Sequence, residues 1–150
     1  MSLESDIRIL KSVPFFASFG DEHLRLLAFG GENRRYAPGQ PLFRLGDNAD
    51  GGIVVLSGEV TLITRAETQG GETVVAGTLL GQRALLARTK RSHSAVAAKP
   101  VETILIRRTL FLRMLSEFPE LANRLYQEMS SELRELTLRA SSIIGPVEEG

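Results

Sequence analysis

Between Pro38 and Thr64 the chain alternates short apolar runs with glycine-rich breaks, and few folds tolerate interruption at that rate. Pro41–Leu45 and Ile53–Leu56 flank the cluster Gly46-Asp47-Asn48-Ala49-Asp50-Gly51-Gly52. Ser57-Gly58 breaks the chain again before Val60 and Leu62 resume an alternating pattern. Glycine supplies positive φ, and Asp and Asn bond their own backbone, so the breaks predict tight turns between short strands. Strands this short and this closely joined make a compact antiparallel sandwich or barrel.

The same period of two runs from Arg34 to Ile106, broken about every eight to twelve residues. The strands predicted are Arg34–Ala37, Gln40–Phe43, Ile53–Leu56, Glu59–Thr64, Thr73–Ala76, His93–Ala98 and Thr103–Ile106. Glu67–Gly71 reads as a polar hairpin tip, and Gly81–Ala87 as a glycine turn opening into one or two helical turns.

Helical periodicity brackets this region. Leu3, Ile7, Ile9 and Leu10 form a stripe that stops near Pro14, and Phe15, Phe16 and Phe19 then anchor the segment on a core. A second helix starts at Gly20-Asp21, with Asp21 as its expected N-cap, and ends at Gly30-Gly31. After Ile106, Leu110, Met114 and Leu115 make a short helix ending near Phe118. Pro119 then opens a long helix carrying Leu121, Leu125, Met129, Leu133, Leu136 and Ala140. At 1.5 Å per residue, residues 119–142 span about 36 Å, long enough for pairing with a second copy to compete with packing on the chain's own barrel.

Formal net charge is zero over 150 residues, so nothing global favours nucleic acid, which usually needs a basic domain or stripe. There is no cysteine, hence no disulfide, thiolate metal site or cysteine nucleophile. The charged N-terminus does not form a signal peptide, and no apolar run approaches the roughly eighteen residues of a membrane span; a cytoplasmic location is expected. Only two histidines occur, His23 and His93, too few and too far apart for a cupin-type metal centre. Neither a Gly-x-Ser-x-Gly elbow nor a P-loop lysine appears, so no enzyme and no cofactor are expected.

Pro38-Gly39, Phe43, Gly46-Asp47, Ala49-Asp50, Leu56-Ser57-Gly58 and Val60 together resemble the cyclic-nucleotide-binding domain of the bacterial catabolite activator and the kinase regulatory subunits. Ile53 stands where that family often has an aromatic residue, and Gly77-Thr78-Leu79-Leu80-Gly81 resembles the lead into its phosphate cassette. The resemblance implies a mainly β fold with flanking helices, a double-stranded β-helix (jelly-roll-like) barrel. Helices would occupy 3–30, the barrel 34–106 and C-terminal helices 109–142, in a single domain over 1–145 with a frayed tail at 146–150.

By resemblance, the ligand is cyclic AMP or cyclic GMP. Gly81, Gln82, Arg83, Ala84, Arg91, Ser92, His93 and Ser94 would surround its phosphate and ribose, and Val60, Leu62, Leu79 and the last helix its base. Two positions depart from the family pattern. Gln82 replaces the glutamate that accepts from a ribose hydroxyl, and counting back from Val96 puts Ser92 at the arginine position, with Arg91 beside it. A one-residue slip reverses side-chain direction in a strand, so Arg91 can substitute only if the slip falls in the preceding loop, Ala87–Lys90. Between Glu72 and Glu102 there is no Asp or Glu but there are Arg83, Arg88, Lys90, Arg91 and Lys99. That imbalance fits either an electropositive pocket mouth or a solvated basic loop. The implied function is a regulatory module sensing an anionic nucleotide, with a downstream protein partner and a homodimer through helix 119–142. Neither a DNA-reading nor a catalytic domain is expected with it. The alternative is a degenerate member serving as a dimerisation or adaptor module.

Overall fold

The computed structural model describes residues 2–64 and 71–142, with backbone alone for 132–142. Two compact units result, Met1–Met114 and Leu115–Gly150. In the first, α1 (Leu3–Ser12) is opened by a reciprocal Ser2–Ser5 capping pair, and a 3-10 turn, Pro14–Phe16, follows it. Helix α2 spans Asp21–Gly30. The strands are β1 (Glu32–Tyr36), β2 (Pro41–Phe43), β3 (Asn48–Ala49), β4 (Gly51–Ser57), β5 (Glu59–Ile63), β6 (Glu72–Val75), β7 (Leu79–Leu80), β8 (Thr89–Lys90), β9 (Ser94–Ala97) and β10 (Val101–Arg107). A second 3-10 turn, Gln82–Leu85, lies between β7 and β8. Helix α3 (Arg108–Glu117) follows β10 directly, and α4 (Pro119–Ser142) lies in the second unit, with Pro119 at its first position as expected.

The strands make two four-stranded sheets, ordered β1-β10-β4-β7 and β2-β9-β5-β6, with β3 and β8 forming a two-stranded ribbon. Every pairing among the described residues is antiparallel. The inner faces share one core: Ile53, Val55, Leu80, Val101 and Leu105 from the first sheet meet Val60, Leu62, Val74, Ala95 and Ala97 from the second. Alternate residues face opposite sides of a strand, yet Gly51–Leu56 is buried throughout. Helices α1 and α2 lie against the outer side of β4 and β10, which accounts for an unbroken apolar run in an antiparallel sheet.

This is the mainly β, helix-flanked architecture expected. Each of the seven strands foreseen is present within a few residues of its predicted ends. The two-residue strands β3, β7 and β8 were not anticipated, being too short to carry a period. The tip expected at Glu67–Gly71 falls largely, and the tail at 146–150 wholly, outside the described residues.

The aromatic knot closes as the sequence implied: Phe15, Phe16 and Phe19 cluster with Phe111 of α3, the Phe19 and Phe111 rings stacking at 6.1 Å. Asp21 does not cap α2. Gly20 is the N-cap, and its N–H donates to His23 Nδ1 at 2.9 Å, while Asp21 pairs with Lys11 at 2.6 Å. Glycine has no side chain to accept from the helix, so a residue one turn inside reaches back instead. His23 is buried, its ring edge-on to Phe19. Replacing His23 with alanine removes that cap bond and the aromatic contact. A loss of about 1–2 kcal/mol in urea unfolding is expected.

Candidate anion-binding site

The Gly51-Gly52 pair starts β4 for a steric reason. A Cβ on Gly51 would run into the Ile106 carbonyl of β10, and one on Gly52 would press on Leu79 and Leu85. Without side chains, both neighbours approach closely, and the Gly51 carbonyl remains free to accept from outside the ladder.

That acceptor is used by Arg91. Its backbone is fixed by two bonds to the turn after β2: Arg91 N–H donates to Asp47 O, and Gly46 N–H donates to Arg91 O, each at 2.8 Å. Gly46 holds φ +88°, and Asp47 Oδ2 accepts from Arg44 N–H at 2.9 Å, so the sequence Gly-Asp shapes the turn that grips Arg91. The side chain then points inward. Its Nη2 donates to Gly51 O at 3.0 Å, and its Cζ lies 4.5 Å from the Phe43 ring centroid, a cation–π contact. Only 8% of the residue is exposed. Nη1 is buried with no hydrogen-bond partner among the described residues, and it lies against Gly81, where any Cβ would collide with it.

A buried guanidinium nitrogen left unpaired is costly and uncommon. Burial pushes the Arg91 pKa below its ordinary value, opposed by the Asp50 and Asp47 carboxylates. Arginine nevertheless keeps its proton, so the site holds a fixed positive charge with one unused donor.

Gly81 faces this donor at φ +80°, a conformation suited to glycine, and is the N-cap of the 3-10 turn Gln82–Leu85. In that turn Gln82 and Arg83 are exposed, whereas Ala84 and Leu85 are fully buried. Arg91 belongs to the link between β8 and β9, outside any strand, which is where a one-residue slip in register can be absorbed. Ser92 is exposed, its Oγ 2.9 Å from His93 Nδ1. Ser94 Oγ accepts from Leu45 N–H at 2.9 Å. Val60 and Leu62 are buried in the inter-sheet core, and Leu79 is half-buried beside Gly52.

The basic stretch does not converge as a whole. Lys99 pairs with Glu59 at 2.7 Å. Arg88 and Lys90 are exposed and, with Asn48, Asp50 and Arg108, line a cleft of about 470 Å³ beside the β3–β8 ribbon. Phe43 as the shelf for Arg91, and Gly51 as its acceptor, were not assigned those roles from sequence. The signal was there in Gly51-Gly52, since paired glycines inside a strand mark a close approach of another group. No group of three or more His, Cys, Asp or Glu among the described residues could hold a metal ion.

A family model described as the cyclic nucleotide-binding domain matches residues 33–118, the span from β1 to the start of the second unit. The chain belongs to the cyclic nucleotide-binding domain family. The domain is 32% identical to the cyclic AMP receptor protein of Thermus thermophilus over 133 residues, covering 86% of this chain and 61% of that protein's length. Among solved structures, it resembles a cyclic nucleotide-binding-like protein from Brucella abortus, at 42% identity and TM-score 0.67, over 74% of this chain and 97% of that one. It also resembles the N-terminal domain of a transcriptional regulator from Streptomyces coelicolor, at 25% identity and TM-score 0.78, over 85% and 94% of the two chains. The domain is thus related to regulators of the catabolite-activator type. No helix among the described residues is long and apolar enough to cross a membrane.

Proposed function

We propose that the domain senses cyclic AMP, cyclic GMP or a related anionic nucleotide, taking the phosphate between Arg91 and the Gly81 turn. The observation that carries this reading is the buried, unpartnered Nη1 of Arg91 directed at Gly81. A fixed charge with a spare donor beside a glycine backbone is suited to a phosphate oxygen, since charge-assisted hydrogen bonds are the strong ones. The relative named as a cyclic AMP receptor protein supports the same class of ligand. Gln82, Arg83 and Ala84 belong to the turn that meets the phosphate and ribose, Ser92, His93 and Ser94 to its rim, and Val60, Leu62 and Leu79 to the base side. Occupancy is passed to a downstream protein by helix movement, and α4 (residues 119–142) pairs with a second copy; sedimentation at micromolar concentration checks the dimer.

Thermal denaturation with each cyclic nucleotide tests the ligand. At one hundred times the dissociation constant, binding to the folded state alone stabilises by about 2.7 kcal/mol. Absence of any shift with both nucleotides at millimolar concentration supports the adaptor alternative. Gln82→Glu restores charge assistance toward a ribose hydroxyl and is expected to strengthen binding about fivefold, the ratio expected when a neutral bond gains roughly 1 kcal/mol. Unchanged or weaker affinity in a titration of that variant would remove Gln82 from the site.

A further inference from the structure

The donor that makes Arg91 a candidate ligand group is shut in. Nη1 is buried, and Gly81, itself exposed, lies directly against it, so a phosphate oxygen reaches Nη1 only if the Gly81 turn lifts. What holds the turn down is visible at its other end. Arg108, the half-buried first residue of α3, sends Nη1 to three carbonyls: Ala49 at 3.1 Å, Ala84 at 3.1 Å and Ala87 at 3.2 Å. Two of those carbonyls belong to the 3-10 turn and the segment just after it, and the third to β3. Ala84 N–H in turn donates to Gly81 O at 3.0 Å, so the tether at Ala84 is transmitted to the glycine over Arg91. The backbone of Arg108 is anchored as well, its N–H donating to Asp50 O at 2.8 Å.

We infer that Arg108 is a positioning residue that latches the Gly81 turn closed over Arg91, so that anion binding requires the latch to yield and thereby loosens the first turn of α3. The inference rests on the anion-site reading above. Closure lowers the apparent affinity by the fraction of molecules that are open. A guanidinium suits the role, because one nitrogen with two hydrogens can be shared among several carbonyls and can be exchanged for water at a half-exposed position. Leu85, fully buried against Gly52, keeps the turn in place by packing. Arg108 adds a polar hold that connects the turn to α3.

The test compares the wild type with Arg108→Gln and Arg108→Lys. Amide exchange, measured by NMR without added nucleotide, is expected to quicken at Ala84, Leu86, Ala87 and Arg108 in the Gln variant while the amides of Val54 and Val60 keep wild-type rates. Titration and stopped-flow association with cyclic AMP and cyclic GMP are expected to show affinity raised by about tenfold or more, with faster association, since charged hydrogen bonds of this kind are lost from the closed state alone. The Lys variant, which keeps a cation but not the fork, should lie between the two, and it carries the comparison if the Gln variant does not fold. A merely structural role predicts weaker binding, not stronger. Unchanged exchange at the turn, or equal or weaker binding in a folded variant, overturns the latch while leaving the anion site standing. Failure of wild type and variants alike to bind either nucleotide overturns the anion-site reading, and the exchange rates then decide alone whether Arg108 fastens the turn.

Discussion

Arg91→Met is expected to cut cyclic-nucleotide affinity roughly thirtyfold to several thousandfold, the equivalent of the ~2–5 kcal/mol typical of one partner lost from a desolvated charge contact. The fold is expected to survive the change. Methionine fills a similar volume beside Phe43 with a flexible apolar chain, and its sulfur still contacts the ring. Two effects on stability oppose each other. The bond from Nη2 to the Gly51 carbonyl disappears, at a cost of about 1–3 kcal/mol for an unpaired buried acceptor. Against that, a buried charge with an unpartnered Nη1 no longer has to be kept from water. A midpoint within a few degrees of wild type, with binding lost, is the expected signature of a residue kept for ligand and not for packing. Calorimetric titration beside thermal denaturation reads both quantities. Binding within threefold of wild type would exclude Arg91 as the phosphate ligand.

Gly51→Ala should give the largest loss of stability. Its new Cβ would overlap the Ile106 carbonyl and come within 2.8 Å of Arg107 Cα, both backbone atoms of the central β4–β10 pair. A flexible side chain could turn aside; a strand in the middle of a four-stranded sheet cannot. Overpacking usually costs 1–3 kcal/mol, and a clash against unyielding backbone belongs at or beyond the top of that range, about 3 kcal/mol or more. For a chain of this size that lowers the midpoint by about 10 °C. Gly52→Ala is the internal control. Its Cβ comes nearest to side-chain atoms of Leu79 and Leu85, at 2.9 and 3.2 Å, and a smaller loss is expected. Equal losses in the two variants would show that backbone approach at Gly51 is not what limits the strand. Moving the Gly51 carbonyl also removes the acceptor for Arg91, so any folded Gly51→Ala protein should bind nucleotide weakly.

The seven longer sheet strands, the flanking helices and the Pro119 start of α4 were legible from the chain because each rests on local signals: period two or 3.6, glycine turns, and a proline whose missing N–H costs nothing at a helix start. The N-cap of α2 was not. Asp21 and Gly20 are equally placed in the sequence, and the choice between them turned on His23 reaching back to Gly20 and on Lys11 taking Asp21.

The site divides in the same way. Sequence by itself determined the scaffold and the composition of the Gly81–Ser94 stretch, including Gln82 in place of a carboxylate and Arg91 beside Ser92. It left open which of those two residues faces inward, because side-chain direction outside a regular strand has no period to read. Only the tertiary structure decided that. The turn at Gly46-Asp47 fixes the Arg91 backbone through non-local hydrogen bonds, and the Gly51 carbonyl and Phe43 ring, distant in sequence, give the guanidinium its place.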